Sequence, residues 1–467
     1  MTQNDALAIL KTGVNVFLTG EPGSGKSHTV NEYVAYLKAR GIEPAITAST
    51  GIAATHIHGM TIHAWSGIGI ASSLSPEDLD RIATREYLVK RIRSAQVLII
   101  DEISMLSANT LDMVEAVCRE VKQTEEAFGG LQIVFVGDYF QLPPVVRNNN
   151  QQPSQDLFYS DEPQSIFSFT GSAWGRAKPI VCYLTEQHRQ DDPAFLQVLS
   201  AIRTNALTAE HRAHIASRTV TSTKRSEGIT KLFSHNADVD RINAEELKKL
   251  PDIGKRYQMT SRGRDSLIEN LKRGCLSPDT LELKKGASVM FTKNSMQGGY
   301  VNGTLGTVAG FAPITGYPEV HTLEGKHIVA EPLEWSVEEN GVSLATISQI
   351  PLRLAWAMTV HKSQGMSMDA AVMDLSGAFE YGQGYVALSR VRRLKGLHLL
   401  GINERALEVQ PEILEKDAEF REQSDIAGDS FAALPKEELA ELHTNFLRMC
   451  GGVEIATTPV KKKRKKK

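Results

Sequence analysis

Residues 14–27 read Val14-Asn15-Val16-Phe17-Leu18-Thr19-Gly20-Glu21-Pro22-Gly23-Ser24-Gly25-Lys26-Ser27. The apolar run that opens this stretch has the character of a strand, and beyond it Val30, Val34 and Leu37 recur at helical spacing up to Gly41, a helix stop. Strand, glycine loop and helix in this order gather backbone N–H groups and a helix N-terminus around one point, as phosphate oxygens require. Lys26 would reach the β and γ phosphates, and the Ser27 hydroxyl would ligate Mg²⁺. Gly20, Glu21, Pro22, Gly23, Ser24, Gly25, Lys26, Ser27 and His28 are therefore the expected nucleotide-binding set.

Working outward, Val97 to Ile100 form a second apolar run that ends in Asp101-Glu102, 75 residues after Lys26. Asp101 would hold the metal directly or through its outer shell, while Glu102 would orient or deprotonate an attacking water. Loop and carboxylates together imply nucleoside triphosphate hydrolysis. Strand-like runs at 14–19, 45–48, 97–100 and 131–136 alternate with helical patterns at 27–39 and 107–123, which predicts a mainly parallel α/β sheet. A second alternation follows, with strand-like runs at 354–360, 370–375 and 397–402. Between these, residues 286–348 are punctuated by glycines and read as a small antiparallel β-barrel. Residues 66–92 form a shorter charged insertion, 146–165 an exposed loop, and a helix is expected from near Pro435 to Gly451 with Leu439, Leu442, Phe446 and Met449 on its packed face. The expected domains are 1–180, 181–402 and a C-terminal part, 403–467.

The 467 residues are ordinary in composition, with no apolar run of membrane-spanning length and no leader pattern at the N-terminus. Cys118, Cys182, Cys275 and Cys450 lie far apart without a Cys-x-x-Cys pair, which speaks against zinc and disulfides and for a reducing compartment. Net charge is −3 although residues 461–467 are all basic, so the rest of the chain is acidic. Nucleic-acid binding by the folded part would need a local stripe of basic and polar groups, not a global positive field.

Further strings narrow the class. Gly137-Asp138-Tyr139-Phe140-Gln141-Leu142-Pro143-Pro144 follows the 131–136 run; Leu184-Thr185-Glu186-Gln187-His188-Arg189-Gln190 opens the second half. Then come Val360-His361-Lys362-Ser363-Gln364-Gly365 and Gly384-Tyr385-Val386-Ala387-Leu388-Ser389-Arg390. In this order, with Thr47 to Ala54, Thr61-Ile62-His63, Phe128-Gly129-Gly130 and Val301-Asn302-Gly303, they resemble superfamily 1B DNA helicases of the petite-integration-frequency (PIF) family, relatives of RecD, from about Gln3 to Gly401.

The resemblance implies two RecA-like domains with ATP and Mg²⁺ between them. It gives Gln141 the place of a γ-phosphate sensor, Arg189 and Arg390 that of arginine fingers, Gln3 that of an adenine reader, and Gly365 a nucleotide contact. Thr50, His63, His361 and Lys362 would bond the phosphates of single-stranded DNA without reading bases. Trp65, Trp174 and Trp356 sit among apolar neighbours and are expected in the core. The insertion at 66–92 would be a duplex-parting wedge by resemblance, whereas its mixed charges also suit a solvated helix. The implied activity is an ATP-dependent DNA helicase moving 5′ to 3′, acting on single-stranded and on forked or tailed duplex DNA. Two alternatives stand beside it: a translocase that remodels protein–DNA complexes, and a nucleotide-gated binding module without hydrolysis. A bacterial or viral cytoplasm is expected, or a nucleus if the source is eukaryotic.

Overall fold

The computed structural model describes residues 1–467 except 51–52, 55–56, 58, 70, 72, 145–165, 188–191, 221–228, 235, 294, 296–298, 301, 303, 324, 340–341, 361–362, 364–366 and 454–467. The stretch opens with a helix, α1 (Gln3–Leu10), capped by Thr2, whose side chain and that of Asp5 each accept the other's backbone N–H. It leads to β1 (Val16–Gly20), buried along its whole length. The phosphate-loop residues follow, and then α2 (Lys26–Lys38). With β2 (Ala45–Ala48), β3 (Met60–Thr61), β4 (Val97–Asp101), β5 (Gln132–Val136) and β6 (Ile180–Leu184), β1 builds an all-parallel sheet of order β3-β2-β4-β5-β1-β6. Continuous apolar runs such as Val97–Ile100 are what a strand covered on both faces requires.

Two short helices, α3 (Pro76–Ala83) and α4 (Glu86–Ser94), occupy the charged insertion, and α5 (Ala108–Lys122) covers the sheet behind them. The insertion is no free solvated helix. Ile82, Leu88 and Ile92 enter the core, and buried Arg91 donates to the carbonyls of Ala64 and Trp65 at 3.1 and 3.3 Å. Trp65 and Trp174 are core residues, and Trp356 packs partly buried on the core of the inserted strands.

α6 (Pro193–Arg203) and a further short helix, Ala209–Ala216, precede β7 (Lys231–Phe233). The chain then leaves for ten strands: β8 (Lys255–Gln258), β9 (Thr260–Gly263), β10 (Thr280–Leu283), β11 (Ser288–Phe291), β12 (Leu305–Phe311), β13 (Pro318–Thr322), β14 (His327–Val329), β15 (Leu333–Glu339), β16 (Val342–Gln349) and β17 (Leu352–Leu354). These pair antiparallel in three small sheets, β14-β13-β12-β11-β17, β15-β16-β9 and β10-β8. The chain returns to a parallel sheet of order β18-β7-β19-β20 with β18 (Ala357–Thr359), β19 (Ala371–Leu375) and β20 (Leu397–Ile402), α7 (Gln383–Leu388) lying between the last two. The fold is therefore two RecA-like parallel-sheet domains, the second carrying an antiparallel insertion.

Three boundaries differ from expectation. Ile180–Leu184 pairs with β1 and belongs to the first sheet, so the break expected at 180 falls after Leu184. The antiparallel strands begin at Lys255, ahead of Gly286, because β8 and β9 are polar and exposed and show no apolar run. The described residues of the C-terminal part contain two helices, α8 (Pro411–Ala432) and α9 (Lys436–Met449), not one. Phe446 and Leu447 of α9 are buried beside Ile9, Leu10 and Tyr33, whereas Met449 is 83% exposed and Leu442 also faces solvent, so the packed face is narrower than the four-residue stripe.

Both helices return to the first domain. Phe420 of α8 sits edge-on to Phe17 at 5.0 Å and beside Tyr139, Phe169 and Trp174, and Ser424 Oγ accepts from the N–H of Tyr183 on the edge strand β6 at 2.9 Å. This covers an edge that would otherwise template further pairing. Phe420→Ala should destabilise the chain by about 3–5 kcal/mol, the usual cost of removing a packed ring. Denaturant unfolding followed by tryptophan fluorescence would read it, and a midpoint equal to wild type would mean that α8 is not part of this core.

Candidate nucleotide site between the two domains

The functional residues gather at the carboxyl ends of the first sheet's strands, where open parallel sheets hold ligands. Gly25 caps α2 at φ +89°, a left-handed conformation open to glycine, and a Cβ there would stand 2.0 Å from Gln3 Nε2. Gln3 lies over the loop and donates from Nε2 to the Ser24 carbonyl at 3.2 Å, while its backbone N–H donates to Glu186 at 2.9 Å. Lys26 Nζ donates to the carbonyls of Gly20 and Glu21 at 2.7 and 3.1 Å. The Ser24 hydroxyl is fully buried and has no hydrogen-bond partner among the described residues, which suits a cradle built for phosphate oxygens. Ser27 and His28 are exposed on the first turn of α2, and His28 lies 3.5 Å from Glu32.

Asp101 ends β4, and Glu102 follows in a left-handed conformation, φ +53°, with its N–H donating to Asp101 Oδ1 at 2.9 Å. That turn swings Glu102 out of the strand direction. Both side chains keep partial exposure to the cleft, yet crowding by protein holds both carboxyls above the usual range. Burial is the main cause for each; the charge of Asp101 adds to it at Glu102, and Lys26 opposes it at both. Arg390 also opposes it at Glu102. Arg390 follows α7 in the second domain, so this influence comes from across the cleft.

Arg390 is 1% exposed and held by its own helix, Nε donating to the Val386 carbonyl at 2.8 Å and Nη2 to Ser389 Oγ at 2.8 Å. Gln141 lies in the turn after β5, its Nε2 donating to Asp138 Oδ2 at 3.3 Å. Gly382, at φ +76° before α7, has no room for a side chain: a Cβ would meet the Phe140 carbonyl at 2.5 Å and that of Gln141 at 2.9 Å. The second domain's α7 thus rests directly on the first domain's Gln141 turn.

Thr50 and His63 follow the ends of β2 and β3, adjacent parallel strands, so both stand at this same edge of the sheet. Thr50 Oγ1 accepts from the N–H of Ala53 at 3.2 Å, and burial lowers the basicity of His63. Arg189, His361, Lys362 and Gly365 lie outside the described residues, as does the basic tail 461–467. The structure brings Gln3, the Gly20–Ser27 loop, Asp101, Glu102, Gln141 and Arg390 together. A residue that sequence reasoning passed over, Arg421 of α8, stands beside them, 3.9 Å from Glu21, which also accepts from Gln187 Nε2 at 3.0 Å. Apart from Asp417 one turn earlier on α8, the partners of Arg421, Glu21 and Tyr183, lie hundreds of residues away, so nothing local marks its place at the site. No helix among the described residues is long and apolar enough to cross a membrane, and no cluster of three or more metal-ligating side chains occurs among them.

Comparison with known proteins agrees with this arrangement. The sequence pattern of PIF1-like helicases matches residues 4–210, and that of the 2B domain of the DNA helicase Pif1 matches 266–311. The chain is 40% identical to the ATP-dependent DNA helicase Pif1 of Psychrobacter sp. (strain PRwf-1), the match covering 97% of the chain and 75% of that protein. Against the human ATP-dependent DNA helicase PIF1 it is 37% identical over 89% of the chain, and it spans only 62% of that longer protein. Bacteroides sp. Pif1 in complex with ADP-AlF4 superposes with a TM-score of 0.78 at 29% identity, covering 90% of this chain and 96% of that one. The Bacteroides Pif1 helicase in complex with ADP-AlF3 and ssDNA superposes with a TM-score of 0.61 at 29% identity, with 90% and 96% coverage. A phosphate loop, a carboxylate pair and an arginine from the facing domain, on this fold and with these relatives, make the chain a member of the PIF1-like helicase family, an ATP-dependent DNA helicase.

Proposed function

We propose that the chain couples ATP hydrolysis at the Lys26–Glu102–Arg390 cleft to 5′-to-3′ movement along single-stranded DNA, parting forked or tailed duplexes ahead of it. In this reading Lys26 and the loop N–H groups bind the phosphates, and Gln3 selects adenine. Ser27 and Asp101 would hold Mg²⁺, which when bound draws charge from the phosphate oxygens. Glu102 orients the attacking water and takes its proton. Gln141 senses the γ-phosphate, and Arg390, with Arg189, neutralises charge that builds up on the phosphoryl group. Gly365 adds a nucleotide contact.

The observation that supports this most is the close packing of the two domains at the site, where Gly382, ahead of the segment that ends in Arg390, rests against the carbonyls of Phe140 and Gln141. A site divided between two domains makes the gap between them depend on what lies in it, which is how hydrolysis becomes motion. Thr50 and His63 on one domain and His361 and Lys362 on the other would grip phosphates alternately as that gap changes. Such grip is sequence-independent and salt-sensitive. The compartment of action is the one that holds the DNA: a bacterial or viral cytoplasm, or a nucleus.

Contacts that are not symmetric hold a strand in one orientation, so loading should need a single-stranded arm on one side only. With duplexes carrying a 5′ or a 3′ tail, in low salt with ATP and Mg²⁺, the expected result is unwinding of the 5′-tailed substrate and little of the other. Preference for the 3′ tail would overturn the polarity. Equal unwinding of both would indicate trapping of frayed ends in place of directed movement.

A further inference from the structure

Between Gln141 and the helix that leads into Arg390 lies one buried guanidinium. Arg203, the last residue of α6, is 1% exposed. Its Nη1 donates to both oxygens of Asp138, at 2.8 and 3.0 Å, and to Tyr385 Oη at 3.1 Å. Its Nη2 donates to Tyr183 Oη at 2.8 Å and to Asp417 Oδ1 at 3.2 Å, and its Cζ lies 4.0 Å from the centre of the Phe140 ring. Each partner stands one step from the site. Asp138 accepts from Gln141 Nε2; Tyr385 sits on α7, where the next residue's carbonyl, that of Val386, accepts from Arg390 Nε. Asp417 of α8 also accepts from Arg421 Nε at 2.7 Å, and Arg421 lies 3.9 Å from Glu21 of the phosphate loop.

A buried ion pair is a poor way to gain stability, since apolar side chains of similar volume usually do as well. What it supplies is a fixed geometry among groups that must not shift independently. We propose that Arg203 is a positioning residue that couples the Gln141 turn of the first domain to α7 of the second, which bears Tyr385 and leads into Arg390, with Asp417 of α8 holding it from behind. Closing of α7 on Gln141 then brings Arg390 and Gln141 to the phosphate together, and α8 serves the hydrolysis step as well as the core. The proposal rests on the assignment of Gln141 and Arg390 to hydrolysis.

Replacing Arg203 itself would leave Asp138 unpaired in the interior, and misfolding would hide the effect. Two milder variants of the full chain avoid this. Tyr385→Phe removes only the hydroxyl on Arg203, and Asp417→Asn removes the charge from the α8 side without touching Gln141 or α7. Steady-state ATP hydrolysis at saturating single-stranded DNA should show kcat lowered by about tenfold in each, the effect of one strained or lost hydrogen bond expressed at the reacting group. KM for ATP, binding of a fluorescent ADP analogue and the unfolding temperature should stay close to wild type. Wild-type kcat in either variant would overturn the proposal, as would a fall in kcat matched by loss of ADP binding and of folding. Arg390→Ala, assayed alongside, separates the two levels. If it keeps wild-type kcat, the site assignment fails; if it loses kcat while the two milder variants keep theirs, only the coupling through Arg203 fails.

Discussion

Lys26→Ala is expected to lower DNA-stimulated ATP hydrolysis by roughly a thousandfold or more, as removal of a phosphate-binding charge does in phosphoryl transfer. The loop offers backbone N–H groups in quantity, but Lys26 is its one cation, and its ammonium now rests on the carbonyls of Gly20 and Glu21 at 2.7 and 3.1 Å. Those carbonyls are neutral acceptors, so phosphate oxygens would win the ammonium from them. Alanine at 26 leaves α2, Gly25 and the Gln3 contact in place. Thr50 and His63 stand at strand ends away from the loop, so binding of a labelled single strand should be nearly unchanged. Phosphate release and fluorescence anisotropy read the two separately. Hydrolysis within tenfold of wild type would remove Lys26 from the site.

Glu102→Gln should separate binding from chemistry. The substitution keeps shape and volume and leaves the left-handed turn after β4 intact, but an amide neither accepts a proton from water nor carries charge. ATP should therefore bind with near wild-type affinity and persist uncleaved, with hydrolysis lower by about a thousandfold. With the nucleotide uncleaved, the ATP-bound form should accumulate. Single-turnover measurement with radiolabelled ATP distinguishes this from weak binding: the nucleotide should be retained on the protein and recovered as ATP. Recovery as ADP at the wild-type rate would show that another group activates the water.

How far the sequence spoke depended on whether the signal was local. The phosphate loop was fully legible, since strand, glycines and helix N-terminus are consecutive, and Ala45–Ala48 and Leu397–Ile402 were found at the strand limits observed. Gln3 was carried by resemblance alone, and its contact with Ser24 now gives it a physical place at the loop. Sheet membership was harder. Ile180–Leu184 is an apolar run whichever sheet it joins, and only its pairing with β1 decides. Helix α8 was missed because its buried positions are few, Ile413, Phe420 and Ser424, and much of its attachment is polar. Arg203, Asp138 and Asp417 could not be connected, because each looks like a surface charge until the fold brings together residues up to 214 apart in sequence.

The return of the last helices to the first domain bears on how the protein is made. Phe17 and Leu10 find their partners Phe420 and Phe446 only after the whole of the second domain has been synthesised. At ribosomal speeds of about 5–20 residues per second, the stretch from Leu184 to Phe446 takes on the order of tens of seconds to emerge. During that interval the edge strand β6 and the aromatic face around Phe17 lack their covering helices. The nascent first domain is then an incomplete body with an exposed apolar seam, the kind of surface that chaperones hold. The second domain must fold while tethered to it, and its completion releases the segment that seals the first.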